Sequence, residues 1–154
     1  MKTKIIIFFL LLLLPSCGYE AIHSKKNSKS YNFSIIKIDL IGDREINLKI
    51  KEKLSNHILN QEDKTFTLKI YSTSEKIVLA KDMAGDATSF QSSIVVNVEV
   101  LMNNKLKNKF IILESFNYNN ISNKFNLKKY EAEIKNNLAE TATDKLIFKL
   151  SNIK

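Results

Sequence analysis

Few side chains in this sequence could do chemistry at close quarters, and their spacing narrows the choice further. The two histidines, His23 and His57, lie far apart in the chain, so neither stands at the i, i+4 spacing by which a helix offers two imidazoles to one metal ion. His57 reads as an ordinary helix-surface residue, and His23 falls in a polar stretch. Asp82 and Asp86 flank Gly85, and paired carboxylates are common equipment for acid/base work. No histidine or apolar surround stands beside either, so solvated loop carboxylates account for them better. Three glycines are too few for a phosphate-cradling loop, and G-x-x-x-x-G-K, G-x-G-x-x-G and G-x-S-x-G are all missing. These spacings point away from an enzyme and call for no metal and no cofactor.

The remaining reactive group is Cys17, the single cysteine. Lys2 and Lys4 precede an unbroken apolar run from Ile5 to Leu14, and Pro15-Ser16-Cys17-Gly18 follows. A basic start, an apolar middle and a short turn-like end are the three parts of a secretory signal. The ten apolar residues from Ile5 to Leu14 fall short of the roughly 20 needed to span a bilayer, and no later stretch is as long. Exported compartments oxidise thiols, so cysteines there usually come in pairs. A lone one directly after the apolar run is best explained by a thioether to diacylglycerol, which uses up the sulfur and makes Cys17 the new first residue. Leu14-Pro15-Ser16-Cys17 resembles the bacterial lipobox, with Pro15 where a small or hydroxylated residue is usual. Each buried lipid methylene adds about 0.8 kcal/mol, and two or more chains hold stably. Gly18 is not the aspartate that favours retention on the inner membrane, so the expected address is the outer membrane, at its periplasmic face.

The formal charge of +8 stays strongly positive after Lys2 and Lys4 leave with the signal. A basic envelope protein favours anionic lipid headgroups or phosphorylated glycolipid over nucleic acid. Lysine, asparagine and isoleucine are abundant throughout, however, as an AT-rich genome would produce, so the charge by itself requires no partner.

The elements that must carry these residues follow from periodicity. Residues 1–16 read as the signal, 17–30 as a lipidated N-terminus and polar tether, and 31–154 as one globular domain. Ile36, Ile38 and Leu40 alternate with Lys37 and Asp39 as in a half-buried strand that Gly42 ends. Asp43 is placed to cap a helix from about Arg44 to Asn60, striped by Ile46, Ile50, Leu54 and Ile58. Three further strands are predicted: around Phe66, Leu68 and Ile70, continuing through Ile77 to Leu79; from Ile94 to Val100; and from Phe110 to Tyr118. Polar Lys81 to Gln91 makes one return, and the lysine-rich Asn103–Lys109 loop makes the next. Leu127, Tyr130, Ile134, Leu138, Ala142, Leu146 and Leu150 stripe a long terminal helix, on whose outer side Glu131 and Lys135 can pair. The expected fold is α+β: a two-layer sandwich with a four-stranded mixed sheet and two helices packed on one face.

Three places in this layout carry a family resemblance. Cys17-Gly18-Tyr19 with nearby Ile22 opens the mature chain, Gly85-Asp86-Ala87-Thr88 precedes the strand Ile94 to Met102, and Tyr118-Asn119 leads through Phe125 and Leu127 to YEAEIKNNLAETATDKLIFKL. In this order they resemble the LPS-assembly lipoprotein family LptE in its alphaproteobacterial form, over nearly all the mature chain. The proline that often follows the opening aromatic is missing.

The resemblance implies an outer-membrane lipoprotein that sits inside the lumen of the LptD β-barrel, partly plugs it, and helps deliver lipopolysaccharide to the outer leaflet. It implies binding without catalysis. If lipopolysaccharide is touched directly, its phosphates need cations, and Lys105, Lys107 and Lys109 on a projecting hairpin are suited to reach them. A solvated turn is the plainer account of those lysines. The alternative for the whole chain is a lipid-anchored interaction module of another envelope machine, for secretion, a pilus or cell-wall synthesis.

Overall fold

The computed structural model describes residues 32–58 and 64–153. The predicted signal, Cys17, His23 and the tether lie outside these residues, as do the last positions of the predicted first helix. The order of elements is β1 (Ser34–Gly42), α1 (Arg44–Leu54), β2 (Thr65–Lys81), β3 (Ala87–Met102), β4 (Lys105–Asn119) and α2 (Lys124–Ser151). The strands lie in the order β1-β2-β3-β4, with β1 parallel to β2 and the other two pairs antiparallel. Both helices cover one face, so the expected two-layer α+β sandwich is the fold the chain adopts.

Alternation decides which side chains reach that covered face. Phe66, Leu68 and Ile70 of β2 and Ile94, Val96, Val98 and Val100 of β3 are all buried, and meet Ile46, Ile50 and Leu54 of α1 and Leu138, Ala142, Leu146 and Leu150 of α2 in one core. Each of these side chains larger than alanine contributes about 1.5–3 kcal/mol relative to exposure. The helices are joined at their rim by Lys53, whose ammonium lies 2.9 Å from Glu140 and 2.7 Å from Asp144.

β1 departs from the simple alternation. A bulge between Ile35 and Lys37 inserts Ile36 as an extra residue, so burial changes parity. Phe33 and Ile35 are buried before it and Ile38 and Leu40 pack on the core after it, whereas Ile36, predicted to share their face, is 68% exposed.

At Gly42 the chain must leave the sheet and start α1. Its φ is +108°, and an added Cβ would lie 1.9 Å from the carbonyl oxygen of Ser72, so only glycine fits without displacement. Asp43 then caps α1 as expected, its Oδ1 accepting from the amides of Glu45 at 3.0 Å and Ile46 at 3.3 Å. The helix stops at Leu54, short of the predicted Asn60. Ser55 Oγ donates to the Glu52 carbonyl at 2.6 Å, Ser55–His57 form a 3₁₀ turn, and Ile58 makes a parallel bridge to Ile35. Ile58 had matched the helical stripe by spacing alone, but strand pairing decides its conformation.

The connections are tighter than composition suggested. The first return occupies only residues 82–86, and Ala87 already belongs to β3. Asn103 and Asn104, with φ of 51° and 60°, form a two-residue turn of the kind that joins twisted antiparallel strands. The lysines after it are strand residues of β4 rather than a loop.

Candidate functional site

The residues singled out for chemistry fall into separate parts of the domain. His57 does not stand on a helix surface: its ring stacks on Phe33 at 4.9 Å between centroids and 18° between planes. Burial holds its pKa below the ordinary imidazole value, which favours the neutral ring that packs against an aromatic. Asp82 closes the β2–β3 turn, its Oδ1 accepting from the amides of Ala84 and Asp86, both at 2.9 Å. A carboxylate so used organises a turn, and Asp86 is exposed beside it. Among the described residues no three His, Cys, Asp or Glu side chains cluster as a metal site would require, and no helix is long and apolar enough to cross a membrane.

The three hairpin lysines are exposed but do not form one row. Lys109 lies opposite Glu99 on the sheet face away from the helices, with 2.7 Å between ammonium and carboxylate. That hydrogen bond and charge hold the Glu99 carboxyl below its usual range. Lys105 lies opposite Met102, which packs against the core, so it belongs to the helix side. A register shift between Val100 and Leu101 makes Lys107 the extra residue of a bulge. Lys105 and Lys107 are therefore the two cations of this group left for an outside anion.

A cleft of about 450 Å³ opens where α2 crosses the β2–β3 ribbon, lined among others by Glu45, Ser74, Lys76, Tyr118, Glu131 and Lys135. Glu45, Lys76, Glu131 and Lys135 are paired across elements. Glu131 accepts from Lys76 and, at 2.9 Å, from the Tyr118 hydroxyl, and Lys76 also sits 3.8 Å from the centroid of the Phe90 ring. Burial, then the hydrogen bond to Glu131, pushes the Tyr118 phenol above its usual range. Lys135 reaches Asp43 at 3.2 Å and Glu45 at 3.0 Å. Burial opposes its charge, but the two carboxylates outweigh that and raise its pKa. The predicted Glu131–Lys135 pair on the outer side of the helix is thus replaced by two inward clasps, because each side chain reaches an opposite charge on another element.

Among the described residues the sheet face opposite the helices is left uncovered by either helix. It carries a charged row, Asp39–Lys69–Glu99–Lys109, and next to it a mainly apolar one interrupted by one amide, Ile41–Tyr71–Asn97–Ile111, each running across all four strands. Val95 and Leu113 extend the apolar row by one step, and Ile111 and Leu113 are 73% and 63% exposed. Reading the strands for burial passes over this row. The signal for it was the apolar identity of residues at the outward positions of a two-residue alternation.

No protein-family model matches the chain, and no curated protein sequence matches it. Solved structures do match its fold. The rare lipoprotein B structure from Shewanella oneidensis is similar with a TM-score of 0.58 at 16% identity, covering 75% of this chain and 93% of that one. A minor lipoprotein from Acinetobacter baumannii gives a TM-score of 0.57 at 12% identity, covering 79% and 91% respectively. An uncharacterised lipoprotein B from Nitrosomonas europaea gives a TM-score of 0.55 at 13% identity, covering 83% and 90%. At such identities the likeness is one of fold: this chain has the architecture of these small bacterial lipoproteins.

Proposed function

We propose that the protein is an outer-membrane lipoprotein of the LptE type, anchored through lipid on Cys17, which binds inside an LptD-like β-barrel, plugs it, and helps pass lipopolysaccharide to the outer leaflet. One conjunction carries the reading. A lone cysteine follows a short signal-like apolar run, in a chain whose folded domain has the architecture of bacterial lipoproteins. On this reading the protein makes and breaks no bond and acts by binding alone.

The test is a crosslinked pull-down of the tagged, full-length chain from outer membranes, with mass spectrometry of the captured proteins. Recovery of a large barrel, lost when residues 31–154 are deleted but the anchor is kept, is the expected result. Capture of secretion, pilus or cell-wall machinery without a barrel would replace this reading with the anchored module of another machine.

Direct contact with lipopolysaccharide phosphates is assigned to Lys105, Lys107 and Lys109, with Lys109 the least available because Glu99 neutralises it. Replacing all three with glutamine should weaken lipopolysaccharide binding and flatten its salt dependence. Unchanged binding would reject the lysine assignment while leaving the barrel assignment standing.

A further inference from the structure

The open sheet face has a pattern that fits its own copy. From β1 to β4 the charged row reads Asp39, Lys69, Glu99, Lys109, alternately negative and positive; within the chain Asp39 also pairs with Lys37 at 2.9 Å and Glu99 with Lys109 at 2.7 Å, so each would share its charge with the second copy. Read backwards, the signs are opposite at every position. The neighbouring row is apolar at both ends, with Ile41 and Ile111, and Tyr71 and Asn97 fill its middle.

We propose that two copies of the chain associate through these faces, about a twofold axis that runs parallel to the strands between β2 and β3. The rotation keeps each residue at its level along the strands and reverses strand order, so β1 covers β4 of the second copy and β2 covers β3. Asp39 then faces Lys109 of the second copy, Lys69 faces Glu99, and Ile41 faces Ile111. Sheets stacked in this way sit about 10 Å apart, with their strands aligned. Contact is closest over the two central strands, which makes Lys69 and Glu99 the deciding pair. From strand spacing and rise, the face covers roughly 600 Å² per copy, which belongs with the weaker specific interfaces. The association is accordingly weak, in the micromolar range, and the face is released whenever a tighter partner takes it. The inference does not rest on the transport reading, and loss of the barrel partner would leave it in place.

Sedimentation equilibrium of the purified full-length protein in detergent, across the micromolar range, reads it directly. Wild type should dimerise reversibly. Lys69→Glu alone places carboxylates opposite Glu99 of the second copy, and Glu99→Lys alone places ammonium groups opposite Lys69. Each should weaken self-association about tenfold or more. An equimolar mixture of the two variants restores opposite charges at both contacts, so the mixture should associate far more tightly than either variant by itself. All these positions are on the solvent face, and circular dichroism should show the fold retained. A wild type that stays monomeric at every concentration overturns the proposal, as does a mixture that associates no better than its components.

Discussion

The two faces of the sheet are made by the same strands and differ in almost everything else. On one, Phe66, Leu68, Ile70, Ile94, Val96 and Val98 are sealed under two helices. On the other, the residues between them form charged and apolar rows that nothing in the described domain covers. The covered face holds the architecture shared with solved bacterial lipoproteins at low identity. The open face is where this chain can differ from them at little cost to stability, and so where its own contacts can be written.

The largest effect that separates the faces comes from truncating side chains. Phe66→Ala should lower unfolding free energy in urea by about 3–5 kcal/mol, because the buried ring leaves a cavity. Ile111→Ala, only two strands away, should change it by no more than about 0.5 kcal/mol. A cost of several kcal/mol at Ile111 would break the comparison, since it would mean the open face is covered within the folded chain.

Next in size is the corner that joins the layers. Gly42→Ala should cost about 1–3 kcal/mol, from its positive φ and from the clash of the new Cβ with the Ser72 carbonyl. Urea unfolding measures this too, and a neutral result would mean that β1 can shift away from β2.

Asp43 gives a smaller, pH-dependent effect. Burial tends to raise its pKa, but hydrogen bonds from Ser74 at 2.6 Å, from Ile46 and from Lys135 outweigh this, and the net pKa is lowered. A carboxyl whose folded value lies below its unfolded value adds stability above the unfolded value and loses it as pH falls through the folded one. Asp43→Asn keeps a capping oxygen and removes the charge, so it should cost about 0.5–1 kcal/mol at neutral pH. The gap should close in acid when unfolding is followed from neutral to low pH, and a constant gap would mean that the charge on Asp43 plays no part. The least effect is expected from Asn104→Gly, which suits the positive φ of the β3–β4 turn and should raise stability by roughly 0.5 kcal/mol or less in thermal unfolding.

The covered face was legible in the sequence because burial writes a period. Phe66-x-Leu68-x-Ile70 and Ile134 to Leu150 could be placed without coordinates, and so could the Asp43 cap. Departures came where pairing overrode period. Ile58 continued a four-residue spacing yet bridges Ile35, Ile36 is displaced by a bulge, and the polar residues after Asp86 and Asn104 extend strands. The candidate lysines were visible as a cluster, but a bulge at Lys107 and the Glu99 pairing separate them. The inward clasps of Glu131 and Lys135 depend on residues far away in sequence, and no local pattern reports such contacts.

The position of α2 after all four strands has a consequence for how the protein is made. Its 28 residues, Lys124–Ser151, supply one of the two helices that cover the sheet. During synthesis the three antiparallel strands can pair with near neighbours in sequence, and β1 then joins β2 through the α1 crossover. All this time much of the inner face stays wet. A chain stalled near Asn123 would expose apolar surface on both sides of its sheet at once, which makes it an aggregation hazard and a natural client for a chaperone.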